Sequence, residues 1–220
     1  MPNNEEKSPE TIESKEAPIE INIQYGVEID ADRLKSTIDR LPWYKEKGYS
    51  HVKIPDGVSE SSTRDEIVEL VQSEYSEEKY DEISNKLKEA WPEFSAPFEE
   101  LKSITDFHFG EKYTIFLTKY GVGGSYHVDA NEVIIDIHSD DIEWLMKIMA
   151  HEIVHTGIEY LIQKYKVPHW KKERLVDLIC EKYFSKRKQG IRENIEDVDE
   201  AFYALWPNAE MITKQIGEKI

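Results

Sequence analysis

The run Asp140-Asp141-Ile142-Glu143-Trp144-Leu145-Met146-Lys147-Ile148-Met149-Ala150-His151-Glu152-Ile153-Val154-His155-Thr156-Gly157-Ile158-Glu159-Tyr160 decides the fold, and His151 to His155 is its chemical centre. Trp144, Leu145, Ile148, Met149, Ile153, Val154 and Ile158 recur at three- and four-residue spacings, which predicts a long helix with a broad apolar face. Asp140 with Glu143 reads as the capping box that starts it. His151 and His155 then leave one face about a turn apart, so both imidazoles can hold a single metal ion. Glu152 is rotated only about 60° from His155 on the helical wheel, so its carboxylate can reach a metal-bound water without ligating the metal. Any one of the three alone is an ordinary helix residue. Together, in a helix this apolar, they need a task that offsets their desolvation.

A catalytic zinc takes three protein ligands and keeps a fourth position open. Pro168 closes the first helix, and a second follows over Trp170–Phe184, with Leu175, Val176, Leu178, Ile179, Tyr183 and Phe184 setting its period. On it Glu173 and Asp177 stand four apart. Glu173 is the expected third ligand, and Asp177 is expected to accept the outer N–H of a ligating histidine. Seventeen residues separate His155 from Glu173, a short connection that keeps Asp177 and Glu181 as alternative ligands.

HExxH followed by Glu-x-x-x-Asp on the next helix resembles the gluzincin clan of zinc metallopeptidases, over about residues 113–184. The short span is similar to the compact minigluzincins. The metzincin pattern would need Gly at Ile158 and His at Leu161, and an inverted His-x-x-Glu-His is absent. The resemblance implies a zincin-like α+β fold: a small mixed sheet with an edge strand packed on the active-site helix, the glutamate helix after it, and an N-terminal helical region. It implies one Zn2+ per chain on His151, His155 and Glu173, with Asp177 behind them. It also implies hydrolysis of a peptide or protein substrate by a zinc-activated water, with Glu152 as general base. In the clan an edge strand lines the cleft, which makes Gly123, Gly124, Ser125 and Tyr126 the candidate substrate-binding residues. On the residues alone, a glycine loop joining two strands fits this segment equally. Tyr160, His169 and Tyr203 are candidate oxyanion donors, as are Tyr126 and His127. A partner-specific regulatory protease would use the same residues, and so would a catalytically silent zinc-stabilised binding domain.

The remainder of the chain bounds these expectations. At 220 residues it can bury a real core, and a net charge of −17 argues against nucleic acid and anionic membranes as partners. The single cysteine, Cys180, reads as a buried structural thiol. Residues 1–18 read as a disordered polar tail without a signal peptide, and the expected compartment is the cytoplasm. Residues 19–105 form an N-terminal strand and helical region, and 106–220 the catalytic region. Alternation over Ile19–Ile29 predicts one strand, followed by a helix capped at Asp30 or Asp32, carrying Leu34 and Ile38 and ended by Pro42. Pro42-Trp43-Tyr44 and His51–Gly57 read as loop with a short strand. Helices are expected over Thr63–Tyr75, over Glu77–Ala90 and after Pro92 or Pro97, facing inward with Ile67, Leu70, Val71, Ile83, Leu87, Trp91, Phe94, Phe98, Leu101 and Ile104. Strands are expected over Lys112–Tyr120 and Glu132–Ile137. The segment after Gly190 should pack beside the catalytic helices or over the cleft.

Overall fold

The structure, a computed structural model, describes residues 18–184 and 195–217, so the expected polar tail lies almost wholly outside the described residues. Alternating apolar and polar residues form four strands in one mixed sheet. In this sheet β1 (Glu20–Gln24) and β2 (Lys112–Thr118) are parallel, β2 and β4 (Glu132–Asp136) are parallel, and β3 (Gly124–His127) runs antiparallel to β4, giving the order β1-β2-β4-β3. Ile115 pairs with Val133 and Leu117 with Ile135, so both strands send buried side chains into the same core. β3 closes one edge, and the segment read equally well as a loose glycine loop is a strand.

Nine helices are described: α1 (Val27–Asp39), α2 (Leu41–Glu46), α3 (Arg64–Glu74), α4 (Glu77–Phe94), α5 (Pro97–Ile104), α6 (Ile142–Lys164), α7 (His169–Tyr183), α8 (Glu196–Leu205) and α9 (Ala209–Ile216). Among them α6 is central. Its residues from Ile148 to Ile158 are all buried, because β3, β4, α4, α7 and α9 surround it. It is therefore apolar nearly all round rather than along one stripe. The stretches on either side of residue 105 share this sheet and this core: β1 pairs with β2, and Ile83, Leu87 and Trp91 of α4 belong to the same buried cluster as α6. α8 is fixed on α7 by Arg174, whose guanidinium donates to both oxygens of Asp199 at 2.7 Å, and α9 is tied to α6 through Tyr165 and Glu210. The C-terminal helices thus pack beside α6 and α7. No helix of the described residues is long and apolar enough to cross a membrane.

Several local expectations are corrected. The alternation after Ile19 does not make one strand, because Gly26 at φ 157° ends the extended run and α1 starts at Val27. Asp30 does not cap that helix; it is buried inside it, accepting from the Tyr80 hydroxyl and from the Lys119 amide. Pro42 opens α2, where its fixed φ and missing N–H are tolerated, so Pro42-Trp43-Tyr44 is helical. α4 continues through Pro92 to Phe94. Ile104 is 38% exposed rather than inward-facing. The cap of α6 is Asp141, which accepts from the Trp144 amide, while Asp140 pairs with Lys79 on α4.

Candidate metal centre

The chain reverses between α6 and α7 through Lys166, held at φ 48°, and Pro168, which precedes the first turn of α7. This lays α7 along α6, and the four-residue spacings of the two helices face each other. His151 Nε2 and His155 Nε2 lie 3.0 Å apart, and Glu173 Oε2 lies 3.4 Å from each. Metal–ligand bonds of about 2.0–2.1 Å in a tetrahedron put ligand atoms about 3.4 Å apart, so the three donors already span one face of a zinc-sized polyhedron. Both histidines are 1% exposed. The three residues form a buried group able to hold a metal ion.

The electrostatics suit that role. Burial pushes the His155 imidazole down to about 3, so at neutral pH it presents a lone pair rather than a charge. Burial acts to raise the Glu173 carboxyl, but the two histidines outweigh it and hold the group well below the usual carboxylate range. Asp177 Oδ1, one turn along α7, sits 3.3 Å from His151 Nδ1, which is where a carboxylate orients a ligating ring. Among the described residues no carboxylate lies behind His155 Nδ1; the ring lies flat against that of Tyr126, with centroids 4.9 Å apart and planes 11° apart. Tyr126 is held in turn, since its hydroxyl donates to Glu159 at 2.8 Å and accepts from Lys172 Nζ at 2.9 Å.

Glu152 is buried beside the edge strand. A Cβ on Gly124 would lie 2.7 Å from Glu152 Cδ, closer than real atoms approach, so the Glu152 side chain takes this position only because residue 124 is glycine. Gly123, at φ 79°, turns the chain into the strand and gives its carbonyl to the Asp136 amide. Ser125 pairs opposite Ile134.

The other sequence candidates divide. His169 adjoins the centre, with Nδ1 3.8 Å from Glu173 Oε1 and Nε2 3.2 Å from the Tyr49 hydroxyl. Tyr160 is turned elsewhere, donating to the Asp106 carbonyl and stacking on His108. Tyr203, 75% exposed on α8, has its ring against Phe202, and His127 is an exposed residue at the end of β3. Glu181 pairs with Arg174 at 3.5 Å and Asp177 faces His151, while Glu173 is the carboxylate grouped with both histidines. Sequence reasoning missed Lys172, Tyr49 and Arg33. Tyr49 arrives from 120 residues away, so no local spacing marks it. Lys172 adjoins Glu173 in a charged run without a pattern of its own. Comparison of the chain with protein-family models, with curated proteins and with solved structures gave no match.

Proposed function

We propose that this chain is a zinc-dependent metallopeptidase of gluzincin-like, zincin-type architecture, with α6 as the active-site helix, α7 as the glutamate helix and β3 as the cleft edge. The convergence of His151, His155 and Glu173 within one ligand sphere, with Glu152 beside it at the edge strand, carries this conclusion. A zinc ion held by these three residues supplies Lewis-acid chemistry, acidifying water and polarising a carbonyl. Asp177, 3.3 Å from His151 Nδ1, and Tyr126, stacked on His155, are placed to orient the two imidazoles. β3 offers its free edge to an extended peptide, whose main chain adds to the sheet. Glu152 accepts the proton of the attacking water on its carboxylate and delivers it to the leaving amine. Tyr126, kept protonated by burial and by Glu159, stacks on His155, and Lys172 beside it lies 3.9 Å from Glu173, so both are polar donors next to the ligands.

Metal analysis of the purified chain, with peptide hydrolysis measured in parallel, tests this. The expected result is one zinc per chain in the parent and in Glu152→Gln, with turnover lost only in the variant. Full turnover in Glu152→Gln would remove it as general base. Zinc without hydrolysis of any peptide would leave a metal-stabilised binding domain, and a parent that takes up no zinc would end the metallopeptidase reading.

A further inference from the structure

Arg33 is the cation that the metal centre does not account for. It lies on α1, 7% exposed, with its Nε donating to the Tyr120 carbonyl at 3.5 Å and no carboxylate within ion-pair distance among the described residues. A buried guanidinium usually has a bidentate acidic partner, because its desolvation is otherwise uncompensated. Tyr44, Arg40, Glu152 and Asp136 lie within electrostatic reach of it. Asp136 is already engaged by Lys53 at 3.2 Å and by the His138 amide.

One line of contacts leads from Arg33 towards Glu152, and another runs from Tyr44, within electrostatic reach of Arg33, to Glu173. Along one wall, the guanidinium fills the place of a Cβ at Gly121, 2.7 Å from its Nε, and Gly121 begins the segment that reaches Gly124 and Glu152. Along the other, Tyr44 packs on Tyr49, Tyr49 bonds His169, and His169 adjoins Glu173. The guanidinium therefore lies against Gly121, three residues before β3 begins at Gly124.

We propose that Arg33 is the specificity-determining residue of the cleft, binding a carboxylate of the peptide laid along β3. The assignment rests on the peptidase reading for the identity of the ligand. The carboxylate is that of an acidic side chain or of a free C-terminus, and either fits the planar fork of Arg33 in two parallel hydrogen bonds.

Binding to zinc-loaded Glu152→Gln protein tests this by calorimetry with three kinds of peptide: amidated peptides with one Glu walked along the sequence, the same peptides with Gln, and the Gln peptides with a free C-terminus. At one position the acid is expected to bind about tenfold to a hundredfold tighter than its amide, with the preference abolished by Arg33→Met and partly restored by Arg33→Lys. The winning set separates side chain from terminus. Equal binding of acid and amide, or a preference that survives Arg33→Met, overturns the assignment. The acid-to-amide ratio with Arg33 intact is decisive even where Arg33→Met fails to fold. Hydrolysis by the parent is read alongside. Its absence together with Arg33-dependent carboxylate binding would overturn the peptidase reading alone, and hydrolysis with equal acid and amide binding would overturn the Arg33 assignment alone.

Discussion

Gly124 and Glu152 share a space that only a glycine leaves open: the side chain of Glu152 occupies the place where a Cβ at residue 124 would stand. The edge of the sheet is thereby pressed on the helix that carries the candidate base. Gly124 has no left-handed φ, so Gly124→Ala meets a packing conflict without backbone strain. It should cost about 1–3 kcal/mol of stability through overpacking. The carboxylate can move only by leaving its position at the edge strand, so hydrolysis should fall at least about tenfold, because a misplaced base loses proton-transfer geometry. Zinc content should be unchanged. Turnover equal to the parent would show that Glu152 needs no fixed position.

Glu173, Asp177 and Glu181 differ in what they face, and metal affinity should rank them. Glu173→Ala removes an oxygen 3.4 Å from both imidazoles and should abolish stoichiometric zinc. Asp177→Asn leaves the ligands in place but weakens the orientation of His151, and should lower affinity about 10–100-fold. Glu181→Ala breaks a contact with Arg174 and should bind zinc as the parent does. Competition with a chromophoric chelator reads all three. Loss of zinc in Glu181→Ala would move the third ligand.

The buried imidazole predicts an acid-sensitive metal-free state. Burial holds His155 at about 3 against an ordinary value of 6.5, so between these the unfolded chain binds a proton that the folded chain refuses. Stability from this group is complete above about 6.5 and is lost as pH falls towards 3. Glu173, held below its ordinary 4.5, adds a loss in the same direction at lower pH. By pH 5 the His155 contribution alone is expected to be about 2 kcal/mol. Urea unfolding of chelator-treated protein at pH 7.5, 6 and 5 measures it, and His155→Gln should flatten the dependence. A pH-independent midpoint in the parent would mean that His155 is already solvated in the folded state.

The grouping of His151, His155 and Glu173, which could hold a metal ion, was legible because its parts are local: HExxH lies within one helix, and Glu173 and Asp177 are one turn apart on the next. The sheet was legible in β2 and β4, whose apolar runs are flanked by turn residues. Legibility failed where one period imitates another. Val27 and Ile29 continue the alternation of β1, yet the same residues begin an amphipathic helix on which Ala31, Leu34 and Ile38 form a second core with Ile67, Val71 and Tyr120. Only Gly26 marks the change. Arg33, Tyr49 and Lys172 were invisible for another reason, since their contacts are with residues distant in the sequence: Tyr120, His169 and Tyr126. A charged side chain on a helix is ordinarily solvated, and nothing in its neighbours along the chain says otherwise.

Tyr126 combines two roles that substitution can separate. Its ring fixes the plane of His155, and its hydroxyl links Lys172 to Glu159. Tyr126→Phe keeps the ring and removes the link, leaving a partly buried cation and carboxylate short of one partner each. The expected cost is about 1–2 kcal/mol, with zinc retained. Tyr126→Ala also deletes the ring, which should cost about 3–5 kcal/mol and weaken zinc binding, because His155 then loses its stacked face. Thermal unfolding with and without chelator, beside zinc titration, separates the two. If Tyr126→Phe loses zinc as fully as Tyr126→Ala, the hydroxyl network rather than the aromatic face holds His155 in place.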